Sequence, residues 1–138
     1  MSNSYKSLFF HIVWSTRGKV PFFSEQGKKR LYGYIKDIIK ERKVELLAIG
    51  GTCDHIHILI RTNSLESIAG FVRHIKSSSS GFVNKVVGDK HRFQWQKGYG
   101  VFTVNSSLVN KVRRYIINQE EHHKVIGFEK ELDFFVRF

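Results

Sequence analysis

The sequence predicts an α+β domain in which a single antiparallel sheet carries helices on its surface. Apolar residues alternate along four short stretches and recur at helical spacing along three others. Two of the alternating stretches follow one another directly, separated by a turn that starts at Gly50-Gly51. The resulting order, β-α-β-β-α-β-α, is that of a ferredoxin-like sandwich with one further helix, which carries the candidate nucleophile, at its C-terminal end. No repeat, linker or shift in composition divides the chain, so residues 1–138 read as one domain.

Each element has its own signal. Tyr5 to Trp14 alternates and is rich in aromatic and β-branched residues, which predicts the first strand. Pro21 falls in the following loop. Ser24 offers an N-cap, and Leu31, Tyr34, Ile35, Ile38 and Ile39 recur at helical spacing to about Arg42. Val44 to Ile49 and His55 to Arg61 predict the hairpin strands. Leu65 to about Val87 is helical, with Ile68, Phe71, Val72 and Ile75 on one face. Its run Ser77-Ser78-Ser79-Ser80-Gly81 is expected to interrupt or end that helix. Gly98 to Val104 predicts a fourth strand. Ser106 or Ser107 then caps a last helix through about His123, closed by Gly127.

Composition narrows the function. With 41% hydrophobic and 14% aromatic residues the chain can build a core, which excludes disorder as its main state. One cysteine excludes an intramolecular disulfide scaffold and favours a reducing compartment. No apolar run approaches the ~20 residues of a membrane span, and no signal peptide is visible. A cytoplasmic protein without a membrane partner is expected. Lys and Arg number 23 against 12 Asp and Glu, a net charge of +11 that predicts a polyanionic partner.

Chemistry concentrates in two places. In Cys53-Asp54-His55-Ile56-His57-Ile58-Leu59-Ile60, strand alternation puts His55 and His57 on one face and Ile56, Ile58 and Ile60 on the other. Two imidazoles so placed can converge on a metal, although two surface histidines would give the same pattern. In the last helix Val109, Val112 and Ile116 form an apolar stripe. Tyr115 and Gln119 share a face, with Lys111 and His122 beside them. A phenol one turn from an amide suits covalent phosphoryl chemistry, with Tyr115 as nucleophile and Gln119 as a neutral oxygen ligand. By spacing alone, packing of Tyr115 at the core edge is the favoured reading. Tyr5, Tyr32, Tyr34 and Tyr99 lack a glutamine at the same offset. Cys53 has no cysteine-hydrolase signature around it, and one cysteine leaves a structural zinc site short of ligands. Two imidazoles and an amide oxygen better suit Mg²⁺ or Mn²⁺.

Taken together, these stretches resemble the single-tyrosine HUH transposases of the insertion-sequence 200/605 type. The matching pieces are His11-Ile12-Val13-Trp14, Asp54 to Ile60, Trp95-Gln96-Lys97-Gly98-Tyr99, and Tyr115-Ile116-Ile117-Asn118-Gln119 with His122-His123. Cys53 stands where relatives often have proline. The resemblance implies that His55, His57 and Gln119 hold the divalent ion and that Tyr115 is the nucleophile. It further implies cleavage and rejoining of single-stranded DNA through a 5′-phosphotyrosine, recognition of hairpins at element ends, and a homodimer with sites shared between subunits. Arg73, Lys76, Lys85, Lys90, Arg92 and Lys97 are the expected DNA contacts, since cations interleaved with aromatics suit a single strand. Two alternatives are a domesticated relative acting on repeated palindromic elements and a non-catalytic single-strand-binding module.

Overall fold

Strand pairing places a doubly covered sheet at the centre of the molecule. The structure, a computed structural model, describes residues 7–63, 68–87 and 92–119. In chain order these form β1 (Leu8–Ser15), α1 (Glu25–Lys40), β2 (Val44–Gly51), β3 (His55–Thr62), α2 (Ile68–Val87), β4 (Gly100–Val104) and α3 (Val109–Ile117). The sheet order is β2-β3-β1-β4, with every neighbouring pair antiparallel. This is the ferredoxin-like arrangement that the element order predicts. The first predicted strand residues, the first turn of the second helix, and the predicted segment from Glu120 to Gly127 lie outside the described residues.

One face of the sheet packs on α1 and α2. Ile12 and Trp14 of β1 and Ile56, Ile58 and Ile60 of β3 join Leu31, Ile35, Ile39, Phe71, Val72 and Ile75 in a buried cluster. Full burial of each such aliphatic chain contributes about 1.5–3 kcal/mol, so this face supplies most of the cohesion. Ser24 caps α1 as predicted, its Oγ accepting from the Gly27 N–H at 3.1 Å.

α2 runs unbroken through Ser77–Ser80, contrary to the expectation of an interruption there. The reason is a tertiary partner. Ser79 is fully buried, and its Oγ accepts from the Trp95 indole N–H at 2.9 Å. The hydroxyls of Ser79 and Ser80 also donate to carbonyls three residues back, at 3.3 and 3.1 Å. The serines thus satisfy their polar groups without leaving the helix.

The opposite face packs on α3 through Ala48, Leu59, Val112, Tyr115 and Ile116. Contact here is close enough to involve main chain. A Cβ at Gly50 would lie 2.2 Å from the Ile116 carbonyl oxygen, so only glycine lets the helix sit this near β2. Gly50 pairs with His57, and Gly51 with Ile56. A register shift between Leu46 and Ala48 sets this phase.

Candidate active site

The register of β1 and β3 assembles the site. His55 pairs with Ser15 and His57 with Val13, and both imidazoles project toward α3. Their ring centroids lie 5.1 Å apart. α3 turns Val112, Tyr115 and Ile116 inward, with Gln119 following just beyond the helix end. Lys111, predicted beside the Tyr115–Gln119 face, points to solvent instead, as do Arg113 and Arg114.

All four predicted site residues come together. Gln119 Oε1 lies 3.0 Å from His55 Nε2. The Tyr115 ring stands edge-on to His57, with centroids 6.1 Å apart. His55 is 2% exposed, His57 0%, Tyr115 6% and Gln119 1%, so α3 covers the histidines. Tyr115 and Gln119 approach the histidines of their own chain, with α3 folded back on its own sheet.

His55 is held by the tip of the β2–β3 hairpin. Its Nδ1 lies 2.8 Å from Asp54 Oδ1 and 2.9 Å from Thr52 Oγ1, while the Thr52 hydroxyl donates to the same Asp54 oxygen at 2.9 Å. A carboxylate only accepts, so His55 Nδ1 carries hydrogen and Nε2 is the nitrogen turned to Gln119. The hairpin tip is itself tight: a Cβ on Gly51 would meet the His55 carbonyl oxygen at 2.1 Å.

These residues fit a divalent ion. His55 Nε2 and Gln119 Oε1 are two acceptors facing one another at 3.0 Å, an arrangement that a cation between them would relieve. That separation is also what adjacent octahedral ligands with bonds of ~2.1 Å require, ~3.0 Å. The Gln119 amide nitrogen is buried with no hydrogen-bond partner among the described residues. Among the described residues no group of three or more His, Cys, Asp or Glu is placed to hold a metal.

In the sequence His11 stands out only as the first residue of the His11-Ile12-Val13-Trp14 piece. The structure puts its Nε2 2.7 Å from His57 Nδ1, with both rings fully buried and stacked at 4.9 Å. Burial, then the adjacent His57, holds the His11 pKa well below the usual histidine range. The signal was its parity: His11 and Val13 alternate with the core residues Ile12 and Trp14, which places His11 on the histidine face.

The predicted DNA contacts divide. Arg73 and Lys97 are exposed and line a cleft of about 740 Å³ between α2 and the segment leading to β4. Arg17 and the half-exposed Tyr99 line it too. Arg92 lines an adjoining cleft of about 430 Å³, again with Arg17, which the sequence did not single out. Lys85 is exposed on α2 and lines neither. Lys90 lies outside the described residues. Lys76 differs most from expectation. It lines the large cleft, yet its Nζ donates to the carbonyls of Gln96, Lys97 and Gly98 at 2.6, 3.3 and 3.0 Å. Desolvation lowers its pKa from the usual lysine value. Lys76 therefore staples the cleft wall. That wall reaches the site: Gln96 Oε1 accepts from the Ser15 N–H at 2.6 Å, and Ser15 is the residue opposite His55.

The fold and site together define a class: ferredoxin-like domains with a His-Ile-His strand faced by a tyrosine helix. The chain belongs to the IS200-like transposase family, whose model matches residues 4–119. It is 26% identical over 121 residues to the transposase of insertion sequence IS200 from Salmonella typhimurium, covering 84% of this chain and 79% of that one. It is 22% identical over 122 residues to the ISDra2 transposase TnpA of Deinococcus radiodurans, covering 83% and 85%. Two solved structures share the fold. A transposase crystal structure from Deinococcus radiodurans superposes with a TM-score of 0.69 at 22% identity, over 86% of this chain and 95% of that chain. A REP-associated tyrosine transposase bound to a REP hairpin superposes at 0.67 and 16% identity, over 91% and 74%. Among the described residues no helix is long and apolar enough to cross a membrane.

Proposed function

We propose that this transposase cleaves and rejoins single-stranded DNA through a covalent phosphotyrosine on Tyr115. The observation that carries the reading is that one short stretch, Tyr115 to Gln119, delivers both a phenol to His57 and an amide oxygen to His55. In the forward step Tyr115 Oη attacks the scissile phosphorus and the bond to the 3′-oxygen breaks. The phenol proton is lost, the 3′-oxygen leaves as a hydroxyl, and a 5′-phosphotyrosine remains. Attack by another 3′-hydroxyl reverses the step and joins new ends without ATP, because the phosphodiester energy is retained in the covalent link. Since a tyrosine hydroxyl has a reference pKa of ~10, it needs activation at neutral pH. When bound, Mg²⁺ or Mn²⁺ held by His55, His57 and Gln119 would neutralise charge on the phosphate.

The clefts lined by Arg17, Arg73, Arg92, Lys97 and Tyr99 suit the backbone and bases of a single strand. The hairpin carried by the REP-bound structural neighbour supports a hairpin as the recognised form, and also favours a second reading, a domesticated relative acting on repeated palindromes. Matching element ends in the flanking DNA would favour the mobile transposase.

A suicide oligonucleotide, nicked so that the short fragment bearing the freed 3′-hydroxyl diffuses away, tests the chemistry. Wild type should give a metal-dependent covalent adduct; strand binding without an adduct would support a non-catalytic binding module instead. Burial of Tyr115 means that a phosphate reaches it only if α3 shifts, and the turn over Asn105–Leu108 is the natural hinge. In a homodimer that shift would let α3 complete the partner's site. Mixing His57→Ala with Tyr115→Phe subunits should then restore cleavage. Absent cleavage in confirmed heterodimers would leave each site within one chain.

A further inference from the structure

We propose that His11 is a positioning residue that fixes His57 in the tautomer needed to bind metal, by accepting the hydrogen of His57 Nδ1 on its own Nε2. This rests on the metal-site reading given above and adds a residue to it. His11 Nε2 and His57 Nδ1 are 2.7 Å apart. When both rings are neutral, two ring nitrogens at that distance share one hydrogen in one of two arrangements. If His57 donates, its Nε2 keeps a lone pair and can serve as a ligand. If His11 donates, His57 carries its hydrogen on Nε2 and cannot.

Geometry favours a built arrangement over incidental packing. Both rings are 0% exposed, and they come from neighbouring strands. Ligating histidines commonly bind a carboxylate, carbonyl or water through the second nitrogen, which sets tautomer and ring angle. His55 follows that rule through Asp54 and Thr52. For His57 the group 2.7 Å from Nδ1 is another imidazole, that of His11. The two proposed ligands are thus held by chemically different supports, an anion for His55 and a neutral ring for His57.

Two measurements test this. In metal-free wild type, two-dimensional nitrogen–proton spectra of the imidazoles should show His57 with hydrogen on Nδ1 and His11 with hydrogen on its own Nδ1. Hydrogen on His57 Nε2 would overturn the proposal. Mn²⁺ binding, followed by electron paramagnetic resonance, provides the second measurement. His11→Met removes the acceptor and should weaken Mn²⁺ about 10–100-fold. His11→Gln, which retains an acceptor oxygen near the Nε2 position, should recover most of that loss. Equal weakening by Met and Gln, or a Met variant within twofold of wild type, would overturn the role of His11. His57→Ala separates this from failure of the site itself: wild-type Mn²⁺ affinity in that variant would overturn the metal site and the proposal with it. The wild-type spectrum keeps the test decisive should either His11 variant fold poorly.

Discussion

The two faces of strand β3 use the same backbone for opposite purposes. Toward α1 and α2 it presents Ile56, Ile58 and Ile60, which belong to the large apolar cluster. Toward α3 it presents His55, His57 and Leu59, of which only Leu59 belongs to the smaller apolar cluster. Both faces are buried, so exposure does not distinguish them. What differs is how each handles burial. The isoleucine face gains from removing methyl groups from water, whereas the histidine face must give each buried nitrogen a partner and so depends on specific geometry. Stability and chemistry are therefore separable by choosing which face to alter.

The sharpest break is Tyr115→Phe. It removes one oxygen from the α3 side and should lower covalent adduct formation by a factor on the order of 10³ or more, the scale of losing a nucleophile. Thermal unfolding should be little changed. A surviving adduct would move the nucleophile elsewhere. The converse change is Ile58→Ala on the core face, which should cost about 2–5 kcal/mol of stability by leaving a cavity. Below its unfolding temperature that variant should retain the adduct, so a loss of adduct there would show that the faces are coupled. Gly50→Ala tests the contact between α3 and the sheet. Its Cβ would meet main chain at 2.2 Å, and the displaced helix should cost about 1–3 kcal/mol while reducing adduct yield.

The smallest effects concern the clefts. Arg73→Ala or Lys97→Ala should each reduce the slope of log affinity against log salt by about 0.7 for single-stranded DNA. Lys76→Met should lower affinity equally at every salt concentration and leave the slope unchanged, because its Nζ is engaged with carbonyls. A slope change matching that of Arg73 would return Lys76 to the phosphate contacts.

Much of this was legible because it follows from local periodicity. A period of two put His55 and His57 together. Helical spacing paired Tyr115 with Gln119, but α3 ends at Ile117 and Gln119 reaches His55 from just beyond that end. Features set by pairing between distant segments were not legible. His11 reaches His57 only through the β1–β3 register, which neither strand encodes alone. Trp95 keeps the serine run helical, a tertiary override of local preference. Charge identified Lys76 as a cation but not its destination, which depends on the fold of residues 96–98. The irregularity between Leu46 and Ala48 likewise hides in sequence, since one residue of phase there decides which way Gly50 faces.

The seat at Gly50 has a consequence for assembly. Ile116 settles on that bare strand position through its main chain, and any second copy of the chain offers an identical seat. An α3 that left its own sheet could dock on a neighbour's with every contact of the interface reproduced. Such a swap changes only the path of the short connection at Asn105–Leu108, where Asn105 Oδ1 accepts from the Ser107 N–H. The balance between self-docked and exchanged forms would then follow protein concentration and hinge strain, leaving helix–sheet affinity out of the equation.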